Sequence, residues 1–466
     1  MWISLALSCL VFTPKIDLPT YLNEVSTSHR AYRAASEKFE GYKAQSKEKA
    51  LFYSPQFFSS YNFINDKKET ASRALQGDET TIHSWTAGVR QTIFTGTQAK
   101  LYYQSEKYDV EGTTATLVPE PMYYQNRPVL EIVQPLWKNF LGSETQALAQ
   151  ILQSQSLAQS FAEAFRMKQI LLEAESTFYR LALLRRNISI RKESMTQAEE
   201  LRRWANRRGK LELADRSDTL QANANYQNRQ IELARAQHEE KQEIRNFNSL
   251  RGIASDELDA ELVMVPSGDL QKLEIPSRAA RREDVLAAEQ KLKAERAQAN
   301  LVLDKYRPNL ELRGSIAGNG RDPSFGSATS DSFGSDHPTF AIGVNLEVPL
   351  NLWAAHDVKR GVERVAKAAE WELQRKIFDE DRIYEGLLER FEHSKSQARL
   401  ALELEKTQKE KVENERSRLR RGRSTTFQVL TFEQDYNTSQ MLRLQAETEL
   451  LNVYAQLKTF SEQVSN

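Results

Sequence analysis

A single cysteine among 466 residues rules out an internal disulfide and any cysteine-rich metal centre. Glycine is scarce as well: the 18 present fall well short of the ~7% usual in globular chains, which leaves little room for glycine-built loops. Neither charge is in surplus, since 64 Lys and Arg balance 64 Asp and Glu. That balance argues against nucleic acid as a partner, because a phosphate backbone needs a local excess of cations. No apolar run reaches the ~20 residues of a membrane-spanning helix, and the longest, Ile3 to Phe12, is about half that. Histidines are few and scattered: His83, His337 and His356 show no His-x-x-x-His or Glu-x-x-His spacing, so no metal site and no cofactor is expected. With no Ser-His-Asp or Cys-His constellation either, the chain is not expected to be an enzyme.

What is present begins with that apolar run, which reads as the h-region of an export signal over residues 1–15 or as a frayed apolar terminus. Met1 to Leu10 contains no Lys or Arg, so the charged n-region of a signal is missing. Cys9 follows Ala6-Leu7-Ser8, a poor copy of a lipidation site, and reads either as acylated or as a cysteine inside a cleaved signal.

Two periods alternate along the rest of the chain. From Ser143 to about Asn206 there is no Pro or Gly, and apolar residues recur at three and four residue steps. This predicts a helix of about 60 residues, roughly 90 Å at 1.5 Å per residue. Arg207-Arg208-Gly209-Lys210 then reads as a tight turn, with a return helix to about Leu250. The same arrangement recurs later: a long helix from Ala354 to about Arg420, a turn at Arg421-Gly422-Arg423, and a return helix from Thr425 to Phe460. Between the hairpins the period falls to two. Asn309 to Ile316 and Ala341 to Leu350 each alternate apolar with polar residues, as do Phe57 to Ile64, Trp85 to Phe94, Val129 to Trp137 and an extra candidate at Ala99 to Tyr108. The Gly/Ser/Asp-rich stretch Gly318 to Pro338 reads as an exposed loop.

The order of elements reads as an internal duplication. The first structural repeat covers 16–250, with strands at about 55–138 and a helical hairpin at 143–250. A mixed segment at 251–278 joins it to a second repeat at 279–463, with strands at 308–350 and a hairpin at 354–463. Amphipathic strands in an exported chain suggest a transmembrane β-barrel, yet one chain has too few strands to close the eight or more that a barrel needs. Open edges in lipid cost several kcal/mol per unpaired group, so a cyclic homo-oligomer follows. The helices alone would also suit a soluble periplasmic coiled-coil scaffold without channel activity; the regular alternation of Ile342 to Leu350 argues against it.

Several segments carry a resemblance to a known family. Ala280-Arg281-Arg282-Glu283-Asp284-Val285 leads to Tyr306-Arg307-Pro308-Asn309-Leu310, and these segments, together with Leu346-Glu347-Val348-Pro349-Leu350, Val133-Gln134-Pro135-Leu136 and the two Gly-turn motifs, resemble the TolC-type outer-membrane efflux channels over about Asp17 to Phe460. The resemblance implies an α + β membrane protein, a homotrimer whose long hairpins form a periplasmic α-barrel continuous with a shared β-barrel in outer-membrane lipid. It further implies a passive exit duct for tripartite efflux or type I secretion, working with a periplasmic adaptor protein and an inner-membrane pump or secretion ATPase. The family has four strands per chain, so the extra candidate at Ala99 to Tyr108 either enlarges the barrel or forms a hairpin outside it.

The same resemblance assigns roles to residues. Asp218, Leu419, Arg421, Arg423, Gln428 and Thr431 fall at the periplasmic gate and tip. Gln428 and Thr431 stand where gated members carry an aspartate ring, which leaves those two positions without acids, while the corresponding acid of the first repeat is kept as Asp218. The basic clusters Arg207, Arg208, Lys210 and Arg420, Arg421, Arg423 read as adaptor-docking tips or as solvated turns, and Arg420, Arg421 and Arg423 also as partners of Asp218 across a closed aperture. Independently of the resemblance, Trp85, Tyr123, Tyr124, Trp137 and Trp353, at or near strand ends, read as membrane-interface aromatics or as ordinary packing.

Overall fold

The computed structural model describes residues 15–211, 216–258, 260–263 and 266–461. Cys9 and the expected signal segment, apart from Lys15, lie outside the described residues. In chain order, strand β1 (Lys15–Ile16) leads into helices α1 (Leu18–Ser28), α2 (Arg30–Gln45) and α3 (Glu48–Phe52). Strand β2 (Gln56–Asp66), helix α4 (Arg73–Gln76), and strands β3 (Glu79–Thr92), β4 (Gln98–Glu111) and β5 (Met122–Pro135) follow, then helices α5 (Ser143–Lys210) and α6 (Arg216–Leu250). After β6 (Glu261–Leu262) and α7 (Ser267–Leu270) come α8 (Glu283–Lys305), β7 (Asn309–Ala317), β8 (Gly320–Asp322), α9 (Phe325–Ser332), β9 (Thr339–Glu347), α10 (Leu352–Arg420) and α11 (Thr426–Lys458).

The six segments with period two are the six long strands, and the Pro-free stretches are helices of 68 and 69 residues. Two expectations are corrected. Gly209 does not turn the chain: α5 runs through Lys210, and a Cβ on Gly209 would meet Thr219 Oγ1 at 3.0 Å, so this glycine lets the arms of the hairpin approach. Gly422 does turn the chain. It has φ +71°, with Arg423 N bonded to Arg418 O at 2.9 Å and Gly422 N to Leu419 O at 2.9 Å, the paired bonds of a left-handed helix stop. The second correction concerns Gly318 to Pro338, which is not a bare loop but contains β8 and α9.

The chain divides into two compact units, one made of residues up to 40, 161–286 and 375 onward, the other of 41–160 and 287–374. In the first, helices bury a large core. Tyr21 of α1 stacks on Phe247 of α6 with ring centroids 4.0 Å apart and packs against Phe178 of α5, while Leu387, Phe391, Leu450, Leu451 and Leu457 bring in α10 and α11. Asp17 starts α1 by accepting the Thr20 amide at 3.0 Å. The connecting segment contributes too, since β6 pairs in parallel with β1 and Leu270 of α7 enters the core.

The second unit is built on an antiparallel sheet in the order β2-β3-β4-β5-β7-β9, with β8 pairing β5 beyond the end of β7. Its junction to the long helix is fixed by Asp304, which is 2% exposed. The Asp304 carboxylate accepts the Asn139 amide at 2.6 Å, the Ser143 hydroxyl at 2.8 Å and the Arg307 guanidinium at 3.0 Å. Asn139 itself sits at φ +56° and caps the start of α5 by accepting the Thr145 amide at 3.0 Å.

Candidate functional site

The strand register shows how the side chains are sorted. Phe57, Val89, Leu101, Leu130, Ile316 and Phe340 are successive cross-strand partners from β2 to β9. All six are apolar and lie on one face, and all are between 39% and 75% exposed. One step further, the small or apolar residues Ala99, Ile132, Gly314 and Ile342 form a shorter row from β4 to β9, and on β9 Phe340, Ile342, Val344 and Leu346 are 60–82% exposed. Shifting by one residue reverses the chemistry, because successive side chains point to opposite faces. Gln56, Arg90, Lys100, Glu131, Ser315 and Ala341 are again successive partners, joined by Arg90 to Gln56 at 3.1 Å and Lys100 to Glu131 at 3.2 Å. Thr339, Ala341, Gly343, Asn345 and Glu347 continue that polar and small face along β9.

Such a sheet has an inside-out distribution for a water-soluble domain: a broad apolar face is exposed, at odds with the small patches that soluble monomers tolerate. It also ends on both sides in a strand with one unpaired ladder, β2 and β9. An exposed apolar face next to a polar face, with two free edges, is what the wall of a water-filled barrel in lipid requires before it closes.

Above the apolar rows, α9 lies on the same face. Asn126 Nδ2 donates to Thr329 Oγ1 at 2.9 Å, Ser105 donates to Asn126 Oδ1 at 2.7 Å and Tyr103 donates to Thr329 Oγ1 at 3.2 Å. Gly318 and Gly320 allow this, because a Cβ on either would lie within 2 Å of a carbonyl oxygen of α9. The sequence signal for this close approach was the glycine spacing itself, which periodicity does not register.

The expected interface aromatics are placed unequally. Trp85 is not at a strand end: it sits within β3 opposite Tyr61 and Ser105, its indole donating to Ser59 at 3.2 Å. Tyr123 belongs to the polar face, stacked on Tyr108 at 5.0 Å and beneath the Arg321 guanidinium at 3.8 Å. Tyr124 is on the apolar face and meets Phe325 of α9 edge-on. Trp137, just past β5, and Trp353, in the first turn of α10, are both exposed.

At the hairpin ends, Leu419 packs with Leu201 and Val429, and with Trp204 and Leu430 beside them. Buried polar contacts tie the hairpins together: Asn437 donates to Ser194 at 3.1 Å, and Arg229 to Gln434 at 2.6 Å. Arg420, Arg421, Arg423 and Gln428 are exposed, and the Gln428 amide is held at 3.3 Å by Thr425, the cap of α11. Thr431 donates back to Phe427 O at 3.0 Å. Arg421 donates to Ser417 at 2.7 Å, and among the described residues no ion pair within the chain joins it or Arg423 to Asp218. Arg207 and Lys210 are exposed at the end of α5, while Arg208 lies over the Trp204 ring at 4.9 Å.

Among the described residues no helix is long and apolar enough to cross a membrane, and no group of His, Cys, Asp or Glu is able to hold a metal ion. The fold is that of solved outer-membrane channels. The transmembrane channel CusC matches with a TM-score of 0.65 and 14% identity, over 96% of this chain and 93% of its own. The outer-membrane protein VceC from Vibrio cholerae matches with a TM-score of 0.63 and 12% identity over 95% of each chain. The outer-membrane channel CmeC from Campylobacter jejuni matches with a TM-score of 0.62 and 14% identity, over 96% of this chain and 87% of its own. No family model and no curated protein matches the sequence.

Proposed function

We propose that the chain is a TolC-type outer-membrane channel, the passive exit duct of a tripartite efflux or type I secretion system. One observation carries the reading: a sheet apolar and exposed on one face, polar on the other, and unpaired at both edges, in a fold shared with outer-membrane channels. Six long strands are fewer than the eight of the smallest membrane barrels, so the edges β2 and β9 close on other copies. A homotrimer with a shared barrel, a periplasmic α-barrel of the hairpins and an internal duplication complete the proposal. A soluble scaffold would leave the Phe340 to Leu346 face in water without a use.

Energy then comes from an inner-membrane pump or secretion ATPase through a periplasmic adaptor. Arg207, Arg208, Lys210, Arg420, Arg421 and Arg423 are the proposed docking charges, with Asp218, Leu419, Gln428 and Thr431 at the gate beside them. Trp85, Tyr123, Tyr124, Trp137 and Trp353 are the proposed interface aromatics; Trp85 and Tyr124 share the apolar face, whereas Tyr123 is on the polar one. Single-channel recording in planar bilayers tests the function: discrete conductance steps are expected, and a protein that leaves the bilayer sealed at all concentrations contradicts it.

A further inference from the structure

We infer that the β3–β4 hairpin lies in the lipid-spanning wall, so that each chain supplies six strands and a threefold barrel has eighteen. The inference rests on the proposed membrane channel and adds the size of its wall.

Its basis is the continuity of the apolar row that runs from Phe57 on β2 to Phe340 on β9. Were β3 and β4 outside the membrane, Val89 and Leu101 would have no reason to be apolar and exposed, yet they bridge Phe57 to Leu130 without a polar residue between. Length agrees: both strands have 14 residues, and a tilted membrane strand needs about 9–11.

The band also has a slope. On β2 the apolar residues of this face are Phe57, Tyr61 and Phe63, and on β9 they are Phe340, Ile342, Val344 and Leu346. Carried through the register, the middle of the β2 set falls opposite position 127 of β5 and the middle of the β9 set opposite position 133. The band therefore moves about six residues, or about 20 Å, over five strand spacings of about 4.8 Å, a slope of about 40°. Strands of membrane barrels tilt by ~35–45°. A belt level with the membrane crosses strands at that angle when all six strands belong to one tilted wall. Omitting β3 and β4 would also leave β2 unpaired to β5. Since barrel diameter grows roughly linearly with strand number, eighteen strands give a wall about 1.5 times wider than twelve, in the range of barrels that hold an aqueous channel.

Spin labels on cysteines tests this in reconstituted bilayers, in a C9S background. V89C, L101C and I342C would be compared for collision with oxygen, which enters lipid, and with a water-soluble nickel chelate; Q104C on the opposite face is the aqueous control. High oxygen and low nickel accessibility at Val89, Leu101 and Ile342 is the expected result. Lipid exposure at Ile342 with water exposure or protein burial at Val89 and Leu101 overturns the six-strand wall while leaving the channel standing. Water exposure at all three overturns the channel as well. A87C, on the same face, replaces V89C if that variant fails to assemble.

Discussion

Asp304 shows how much a single buried carboxylate can organise. It gathers an amide, a hydroxyl and a guanidinium at the point where the chain passes from strand β5 to helix α5. D304A leaves those donors without their charged acceptor and should cost about 2–4 kcal/mol of stability, read as a lowered melting temperature in detergent. Asp284 works differently. Burial alone would raise its pKa, but two hydrogen bonds from Arg282, at 2.6 and 3.0 Å, and the charges of Arg282 and Lys376 outweigh it and hold the carboxyl below its ordinary value. A folded-state pKa below the unfolded one stabilises the protein above the unfolded value and is lost as pH falls through the folded one. The melting-temperature gap between wild type and D284N should be open at pH 7 and close below about pH 4. A gap independent of pH would contradict this. Neither role was legible in the sequence, where both acids are two among 64: ion pairing depends on which helices meet, and no local pattern encodes that.

At the scale of elements, legibility follows periodicity. β9 was readable because Phe340 to Leu346 alternates without interruption, and α5 and α10 because nothing breaks them. α9 was not, because its eight residues, FGSATSDS, lack an apolar repeat and owe their helix to packing over Gly318 and Gly320. The two hairpin turns resembled each other as strings, yet only Gly422 adopts the left-handed conformation, since Gly209 remains within its helix. The basic tip after α10 is exposed, so R421A/R423A should change stability by no more than about 0.5 kcal/mol. Export through the assembled pump should nevertheless fall. Unchanged export in a stable double variant would show that the charges are only solvated.

For the whole molecule, the faces of the strands were readable but the register was not, because alternation fixes which residues share a strand face and says nothing about which strand lies beside which. The register is what turns isolated stripes into a belt, and the belt is what requires closure. The proposed gate belongs to this scale as well. Gln428 and Thr431 offer dipoles where a ring of carboxylates would concentrate negative charge, so trivalent cations added at the tip side should block conductance weakly. Strong block at micromolar concentration would mean that another acidic ring lines the aperture. The central claim is that copies of this chain complete one another's sheet, and gel electrophoresis of detergent-extracted protein, with and without heating, tests it most directly. A barrel held by continuous ladders between chains should migrate as a trimer unheated and as a single chain once boiled. Migration as a single chain under both conditions, from protein extracted folded out of membranes, would contradict the account.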